Sequence, residues 1–324
     1  MKRLISLLLC ALLIVPALAE DAPDFEPIPW DIKVSPNLPN PDCYLPNNGG
    51  YHDDSIDIQI NVTYWTQDLQ QVDAPGEGTT TVMSARVKLT DVSQFRTGFA
   101  NKYPSKQARH VNDMTKRFNA VMGIDGDYCL YHEQGIVVRN GQTLRMRPHK
   151  GRDELIVDEN GDFHLITGTT QAKWDEYIAG GDTVLHAFCF GPALVVNGIP
   201  LTNLDDVTID NGKAKKAQRM VIGQIGKLEY LILTNEGPES TAPKSVGFDL
   251  VQMANLCVQF GLDNAYNLDG GSSSTIALNN QKINSPSSHK NRMVGDCIWF
   301  ATLVKEETWR EKESVQTVEV EENK

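Results

Sequence analysis

Two acidic turns each follow a short apolar stretch of the sequence. In GIDGDYC, Asp125 and Asp127 flank Gly126, and in NLDGGSSST, Asp269 precedes two glycines and three serines. Carboxylates at strand ends can act as general acids or bases, or can stabilise a cationic sugar. One such turn alone is more typical of a solvated loop. The presence of two favours a paired-carboxylate site.

The glycine–serine turn has the composition of an anion site. Glycines let a ligand approach the backbone closely, and the N–H groups of the turn together with the hydroxyls of Ser272, Ser273 and Ser274 could form an anion-binding concavity. The turn is neither a nucleophile elbow nor a Walker phosphate loop, because the required Gly and Lys are missing. A flexible polar turn explains the composition equally well, so both interpretations stay open at this point.

Two arginines directly precede apolar runs, Arg219 before MVIGQ and Arg292 before MVGDCIWF. Such a residue is usually a strand-edge charge, but a guanidinium is also the side chain best suited to hold a phosphodiester. The histidines show no H-E-x-x-H spacing and the cysteines show no C-x-x-C spacing, so the sequence does not indicate a zinc hydrolase or a redox motif.

The chain is acidic, with 324 residues and a formal net charge of -12. Removal of Lys2 and Arg3 with an N-terminal leader would bring the charge to -12 - 2 = -14. Nucleic-acid binding needs a basic surface. Nucleic acid is therefore excluded as the main partner.

The N-terminus, MKRLISLLLCALLIVPALAE, has two basic residues, an apolar run and an A-x-A end. This order predicts a signal peptide cleaved after Ala19, and a secreted or cell-surface protein. The alternative is an N-terminal membrane anchor, but the apolar run is short for a span. We therefore expect no stable membrane insertion after cleavage.

The pattern of apolar residues predicts many strands and two strong helices. One helix is expected near residues 104–118, and a second begins at Asp249, with Gln252 as its capping-box partner, and ends at Gly261. Hairpins are expected at the Asn-Gly pairs 140–141, 160–161 and 197–198. The expected fold is α+β, a mixed and largely antiparallel sheet with a few packed helices in a single catalytic-type domain.

Composition divides the chain into four segments. We expect a signal peptide over 1–19, a Pro- and Asn-rich arm over 20–50, the folded domain over 51–304 and a charged tail over 305–324.

These motifs in this order resemble the phosphodiester glycosidase family. The resemblance covers residues 51–301 and includes DVSQFRTGFA, AVMGIDGDY, FGPALVVNG, RMVIGQ, AYNLDGGSSST and NRMVGDCIWF. It implies an exported hydrolase that cleaves a sugar-1-phosphodiester at the anomeric carbon. A phosphorylated glycan would be the partner. It implies no organic cofactor and leaves open a divalent cation; the oligomeric state stays open too.

The resemblance and the residue chemistry together give a set of candidate site residues. The candidate catalytic carboxylates are Asp127, Asp269 and Glu236. The candidate substrate-binding residues are Asp125, Gly126, Arg219, Asn267, Gly270, Gly271, Ser273, Ser274 and Arg292. No metal ligands are assigned.

The sequence departs from the family pattern at three positions. Asp125 stands where the family usually has asparagine, Met220 where it usually has threonine, and Pro238 where an Asp-Gly-Arg usually ends. The departures at Met220 and Pro238 favour the alternative function, a non-catalytic binding or assembly protein for phosphate-containing cell-surface polysaccharide. The intact acidic turns favour the enzyme.

Overall fold

A computed structural model describes residues 37–205, 214–240, 244–284 and 291–310 of the protein. The predicted signal peptide, the first part of the arm and the end of the charged tail lie outside these residues. Within the described part of the chain, no helix is both long and apolar enough to cross a membrane.

The described residues form twenty strands and three α-helices. The strands are β1 (Tyr44–Leu45), β2 (Gly50–His52), β3 (Ile56–Trp65), β4 (Gln71–Val72), β5 (Thr80–Leu89), β6 (Phe95–Phe99), β7 (Met122–Asp125), β8 (Gly135–Arg139), β9 (Gln142–Arg147), β10 (Glu154–Asp158), β11 (Phe163–Ile166), β12 (Val184–Phe188), β13 (Ala193–Val196), β14 (Ile199–Pro200), β15 (Arg219–Gly226), β16 (Glu229–Asn235), β17 (Asn264–Asn267), β18 (Ile276–Leu278), β19 (Gln281–Lys282) and β20 (Asp296–Phe300). The helices are α1 (Val111–Phe118), α2 (Gln171–Ala179) and α3 (Leu250–Gln259).

The strands are divided among three sheets. The large sheet has the order β1-β2-β3-β5-β16-β15-β17-β13-β14, with β4 paired to β3. The second sheet has the order β11-β10-β12-β8-β9, and the third has the order β19-β18-β7-β20-β6. Every strand ladder found among the described residues is antiparallel. The predicted α+β class with a largely antiparallel arrangement is therefore confirmed.

One central core lies between the three sheets. Ile222 of the large sheet, Phe188 of the second and Ile298 of the third belong to the same cluster of fully buried side chains. Burying such a side chain contributes about 1.5–3 kcal/mol. The shared core therefore fixes the positions of the sheets, and of their strand ends, relative to one another.

Each sheet has a helix on the face that points away from this core. Helix α3 packs on the large sheet through Met253, α1 packs on the third sheet through Met114, and α2 packs on the second sheet through Trp174. Each sheet is thus covered on both faces, which leaves its strand ends as the natural place for a polar site.

Local sequence signals determined several of these elements as predicted. The Asn-Gly pairs join β8 to β9, β10 to β11 and β13 to β14. At α3, the Asp249 carboxylate accepts a hydrogen bond from the Gln252 N–H at 2.8 Å, and the Gln252 side chain accepts one from the Asp249 N–H at 3.2 Å. Gly261 follows the helix with a φ of 80°. The predicted capping box and glycine stop are therefore present.

Other elements differ from the prediction. Helix α1 begins only at Val111, because residues 101–110 adopt turns and extended backbone. Helix α2 was not predicted, since Trp174 is its only fully buried residue and its apolar pattern is weak. The folded domain also begins earlier than residue 51, because β1 pairs with β2 and Asn37 donates to the Thr302 carbonyl at 3.1 Å. In the predicted tail, residues 306–310 form a helical turn.

Candidate active site

The two acidic turns meet although they belong to different sheets. The Asp269 N–H donates a hydrogen bond to the Gly126 carbonyl at 3.2 Å. The Thr275 N–H donates to the Asp125 carboxylate at 2.8 Å. Strand β7 of the third sheet and strand β17 of the large sheet therefore end side by side, joined at both ends of the glycine–serine turn.

Gly126 is required by the close approach of a third strand. Its N–H donates to the Asp296 carbonyl at 3.1 Å, and a Cβ atom at this position would lie 2.4 Å from the Asp296 side chain. No real Cβ makes such a contact. The glycine thus allows β20 to bring Asp296 against the first acidic turn.

Asp125 and Asp269 form a carboxyl pair beneath this junction. Asp125 is fully buried, and burial together with the nearby Asp269 raises its pKa well above the usual range. Asp269 is 8 % exposed, and burial raises its pKa too, although the Ser273 hydroxyl and Arg292 partly offset that rise. Both carboxyls therefore favour the protonated form more than an ordinary aspartate does, Asp125 the more strongly.

Polar atoms without hydrogen-bond partners surround this pair. The second Asp125 carboxylate oxygen and the hydroxyls of Ser273 and Ser274 are buried and make no hydrogen bond of ordinary geometry with the described residues. The Asn267 amide donates to the Gly191 carbonyl at 2.8 Å, and its side-chain oxygen is likewise buried without a partner. Because buried polar groups are normally satisfied, such a concentration is typical of a ligand site.

Most backbone N–H groups of the predicted anion cradle already have hydrogen-bond acceptors. The N–H groups of Gly271, Ser273 and Ser274 donate to carbonyls at 3.0–3.3 Å, and that of Gly270 donates to the Asp269 carboxylate at 3.0 Å. The turn is a short 3-10 helix, with Gly271 in the left-handed region at a φ of 61°. The acceptors are the Asp269 carboxylate, the Gln218 carbonyl directly before β15 and carbonyls of the turn itself, so these four N–H groups are already used and an anion would be held mainly by side chains.

Two cationic side chains lie at this site. Arg292 is partly exposed, its charge acts on Asp269, and its guanidinium lies 5.2 Å from the centre of the Tyr128 ring. Lys282 donates to the Thr275 hydroxyl at 3.2 Å. Burial lowers the Lys282 pKa to about 8, against the opposing effect of Asp125.

Glu236 lies on the Lys282 side of the site. It directly follows β16, is half-buried, and its charge acts on the ammonium group of Lys282. Its backbone N–H donates to the Thr81 carbonyl at 2.8 Å, which fixes the start of this loop against β5. Glu236 is thus a carboxylate close to Lys282, on which Asp125 also acts.

Asp127 has a different environment. Its carboxylate accepts hydrogen bonds from Arg139 at 2.8 Å, from the Cys189 N–H at 2.8 Å and from the Cys129 N–H at 3.1 Å. Burial alone would raise its pKa, but the Arg139 guanidinium and these donors lower it to about 2. Asp127 is therefore a fully satisfied anion.

Arg139 joins Asp127 to Asp296. The same guanidinium nitrogen that contacts Asp127 lies 3.1 Å from an Asp296 oxygen. Burial and the neighbouring Asp127 raise the Asp296 pKa to about 7 in spite of the arginine. One cation thus serves two buried carboxyls, and Asp127 is the one that keeps the negative charge.

The donor set of Asp127, Cys129 and Asp296 could be taken for a metal centre, because its ligand atoms lie within 4.8 Å of one another. The Arg139 guanidinium contacts both carboxylates. It also lies 3.7 Å from the Cys129 sulfur. Since this group already has its cation, these residues do not fit a bound divalent ion.

Arg219 is not among the groups that face the carboxyl pair. Its guanidinium donates to the Lys215 carbonyl at 2.7 Å and to the Phe248 carbonyl at 3.4 Å, and Asp249 at the start of α3 acts on its pKa. In β15 its neighbour Met220 belongs to the central core, so Arg219 points to the opposite face. The structure therefore places this predicted residue on the α3 side of the large sheet.

Sequence reasoning missed Arg139, Asp296 and Lys282. Asp296 carried the same signal as Asp125, an acid beside a buried apolar strand, here at its beginning. Arg139 ends a strand whose other four residues are all buried, so a charge there had to find a buried partner. Lys282 had no local signal, because its role depends on the pairing of β18 with β19.

Comparisons with known proteins agree with this architecture. The model of the phosphodiester glycosidase family matches residues 118–301. No curated protein matches the sequence significantly. Three solved structures are similar to this chain, and the likeness of fold rests on the first of them.

The catalytic domain of zebrafish N-acetylglucosamine-1-phosphodiester alpha-N-acetylglucosaminidase, auto-inhibited by its pro-peptide, is similar with a TM-score of 0.58 and 14% identity. The match covers 78% of this chain and 86% of that one. A Synechocystis protein has a TM-score of 0.49 and 13% identity, over 76% of this chain and 62% of that one. A Burkholderia pseudomallei protein described as exported has a TM-score of 0.47 and 16% identity, over 71% and 75%.

Proposed function

This chain belongs to the phosphodiester glycosidase family, whose model matches more than half of its length, and from that premise we propose that it hydrolyses a sugar-1-phosphodiester at the anomeric carbon. Water would attack the anomeric carbon while the bond from that carbon to the phosphate oxygen breaks. The leaving group would be a phosphate monoester, which departs as an anion.

The observation that carries the proposal is the position of Asp269. It lies where two strand-end turns join, beside the fully buried Asp125, and it keeps a small exposed surface. A carboxyl that is largely desolvated, next to a second carboxyl and close to a cation, is typical of acid–base sites in glycosidases. Asp269 is therefore our candidate for the group that stabilises the cationic sugar or activates water.

The surrounding residues divide by charge. Glu236 and Asp269 suit the sugar end, where positive charge develops in the transition state. Arg292 and Lys282 suit the phosphate end, together with the unpartnered Ser274 hydroxyl and the Ser273 hydroxyl beside Asp269. In this assignment Lys282 contacts the phosphate, the role for which Arg219 was the candidate in the sequence analysis.

Asp127 is better assigned as a positioning residue than as a catalytic one. Three hydrogen bonds and a lowered pKa leave it a poor proton donor or acceptor near neutral pH. Its backbone leads directly into Tyr128, which has a φ of 60° and lies under the Arg292 guanidinium. The anchored Asp127 would thus hold Tyr128 in that strained conformation and keep Arg292 in place.

The test is turnover of an aryl ester of a sugar-1-phosphate, followed by phosphorus NMR. Cleavage at the anomeric carbon releases an aryl phosphate, whereas cleavage at phosphorus releases a sugar-1-phosphate and a free aryl alcohol. In water labelled with oxygen-18, the aryl phosphate should contain no label. Label in the phosphate product would overturn the proposed bond cleavage.

Two variants distinguish loss of the candidate carboxylate from the effect of removing any aspartate in this region. Asp269→Asn removes the candidate carboxylate, and Asp263→Asn removes an exposed one at the beginning of the same strand, β17. We expect turnover to be lost in the first and kept in the second. A folded wild-type protein that binds the ester without cleaving it would instead support the non-catalytic binding function.

We also propose that the chain is exported after cleavage behind Ala19. The support is the order of basic residues, apolar run and A-x-A end in the sequence. N-terminal sequencing of protein recovered outside the cytoplasm should begin at Glu20. Recovery of membrane-bound protein that retains Met1 would contradict this.

A further inference from the structure

A cavity of about 380 Å³ lies outside the candidate active site. Strand β6, helix α1 and the β8–β9 hairpin contribute its lining. Of the residues discussed for the active site, only Arg139 lines it, and the same arginine pairs with Asp127 and Asp296. Its volume is within the range that holds a small molecule.

The charged residues of this cavity all have the same sign. Lys102 and Arg117 line it, both side chains are exposed, and neither takes part in a salt bridge among the described residues. Arg139 is only 4 % exposed, and its Nε atom is buried without a hydrogen-bond partner in the described part of the chain. Among the described residues that line the cavity there is no aspartate or glutamate. Because the Arg139 charge is already paired with Asp127 and Asp296, a ligand seated there would meet a positive potential mainly from Lys102 and Arg117.

The remaining lining suits a sugar ring. The Phe99 and Tyr103 rings lie 5.4 Å apart and are tilted by 54°, which offers aromatic faces to the C–H groups of a ring. Gln142, at the beginning of β9, adds an exposed amide that can donate to and accept from hydroxyls. Aromatic walls with a few polar groups are the usual composition of a small-molecule site.

We propose that this cavity binds an anionic sugar unit, a ring that carries one carboxylate or one phosphate, separately from the site of hydrolysis. Lys102 and Arg117 would contact the anionic group, the aromatic pair would pack on the ring, and Gln142 would bind its hydroxyls. The protein would thus hold an acidic glycan at a second point. The inference does not depend on the proposed hydrolysis, because no turnover is needed to observe it.

Calorimetric titration of the whole mature protein tests this with three probes. Glucuronate and glucose 6-phosphate carry the two kinds of anion, and glucose carries neither. We expect both anionic sugars to bind and glucose to show no measurable binding. A difference between the two anionic probes would identify which anion the cavity prefers. Equal binding of glucose would overturn the role of charge.

A charge-matched pair of double variants locates the binding. Lys102→Gln with Arg117→Gln should weaken binding of the anionic sugars by about tenfold or more, because two charged contacts are lost. Lys106→Gln with Lys116→Gln removes the same charge from exposed residues nearby that do not line the cavity, and should change affinity less than about twofold. If both double variants weaken binding equally, the effect comes from the overall charge of the protein, and the proposed site is wrong.

Two further variants guard against binding elsewhere. Gln142→Trp fills the cavity from an exposed strand position and should abolish binding while the melting temperature stays within a few degrees of wild type. Arg292→Gln alters the candidate active site and should leave binding of the anionic sugars unchanged. Binding that survives Gln142→Trp but is lost in Arg292→Gln would place the ligand in the active site and overturn the proposal.

Discussion

The protein buries two pairs of aspartates within one junction of strands, and the pairs have opposite surroundings. Asp127 and Asp296 share the Arg139 guanidinium, and the Asp127 oxygens also accept two backbone N–H bonds. Among the described residues, no arginine forms a salt bridge with Asp125 or Asp269. The partly exposed Arg292 acts on Asp269 from a distance, and nearby buried oxygens lack hydrogen-bond partners. Burial is similar in the two pairs, so burial alone does not mark a reactive carboxyl.

The difference lies in what each pair can still bind. A carboxylate whose oxygens already accept all their hydrogen bonds cannot accept more from a substrate. A carboxyl with a free oxygen beside unpartnered hydroxyls can still bind one. We therefore assign the arginine-linked pair to holding strand ends together and the other pair to chemistry. The following predictions test that division, beginning with the largest expected effect.

Replacing the shared cation should damage the fold. Arg139→Met leaves Asp127 as a buried charge without its partner, and such losses cost about 3–5 kcal/mol of unfolding free energy. Urea denaturation measures the change. Arg86→Met is the control. The Arg86 side chain is 55% exposed and forms a surface ion pair with Glu229. Such pairs contribute about 0–1 kcal/mol to the free energy of unfolding. Similar losses in both variants would contradict the structural role of the arginine-linked pair.

Replacing the reactive carboxyl should damage activity and spare the fold. Asp269→Asn keeps the shape of the side chain and removes its ability to ionise. We expect turnover to fall by about a hundredfold or more, with a stability change below about 1 kcal/mol. Kinetics and thermal melts on one preparation measure both. If the melting temperature falls together with the rate, Asp269 belongs to the structural class and Glu236 becomes the leading candidate.

Lys282, the cation near Asp125 and Asp269, should cause kcat/KM to fall at alkaline pH, which would give the pH profile an alkaline limb. The Lys282 pKa is lowered to about 8, so its positive charge is present below that pH and is lost above it. If Lys282 binds the phosphate, kcat/KM should fall by about tenfold per pH unit above the pKa, because this parameter reports the free enzyme. Lys282→Arg should remove the limb, since arginine stays charged. A limb that persists in Lys282→Arg would assign it to another group.

The smallest predicted effect is a change in how stability depends on pH. The folded-state pKa of Asp296 is raised to about 7, so the folded protein holds a proton that the unfolded chain releases near pH 4. Its contribution to stability is therefore full below about pH 4 and is lost as the pH rises to about 7. Relative to Asp296→Asn, the wild-type melting temperature should fall across that window. Parallel melting curves would show that Asp296 stays ionised.

The sequence predicted the parts of this comparison that depend on local signals. Asp125, Asp127 and Asp269 were found because each follows a buried strand, and α3 was found from its capping box. The hairpins followed from their Asn-Gly turns. Short stretches of sequence determine which strands are buried and which turns form. Both can therefore be predicted from the sequence alone.

The sequence could not separate the two pairs. The distinction depends on Arg139, which reaches both Asp127 and Asp296 only after the second and third sheets pack together. Most N–H groups of the predicted cradle are occupied for a related reason, because they find acceptors such as the Gly270 carbonyl for Ser273 and the Gln218 carbonyl for Gly271. Which partner a polar group finds is a tertiary property.

The contacts that build the site also determine when it can form. Thr275 and Asp125 are 150 residues apart in sequence, and Arg139 and Asp296 are 157 residues apart. Contacts between distant parts of a chain must overcome a large loop-closure entropy, and they slow folding. The site therefore assembles only when the strands near the C-terminal end of the domain dock against those near its middle. A ribosome-bound chain that lacks β20 would have no working site, so catalytic competence would report the completion of folding.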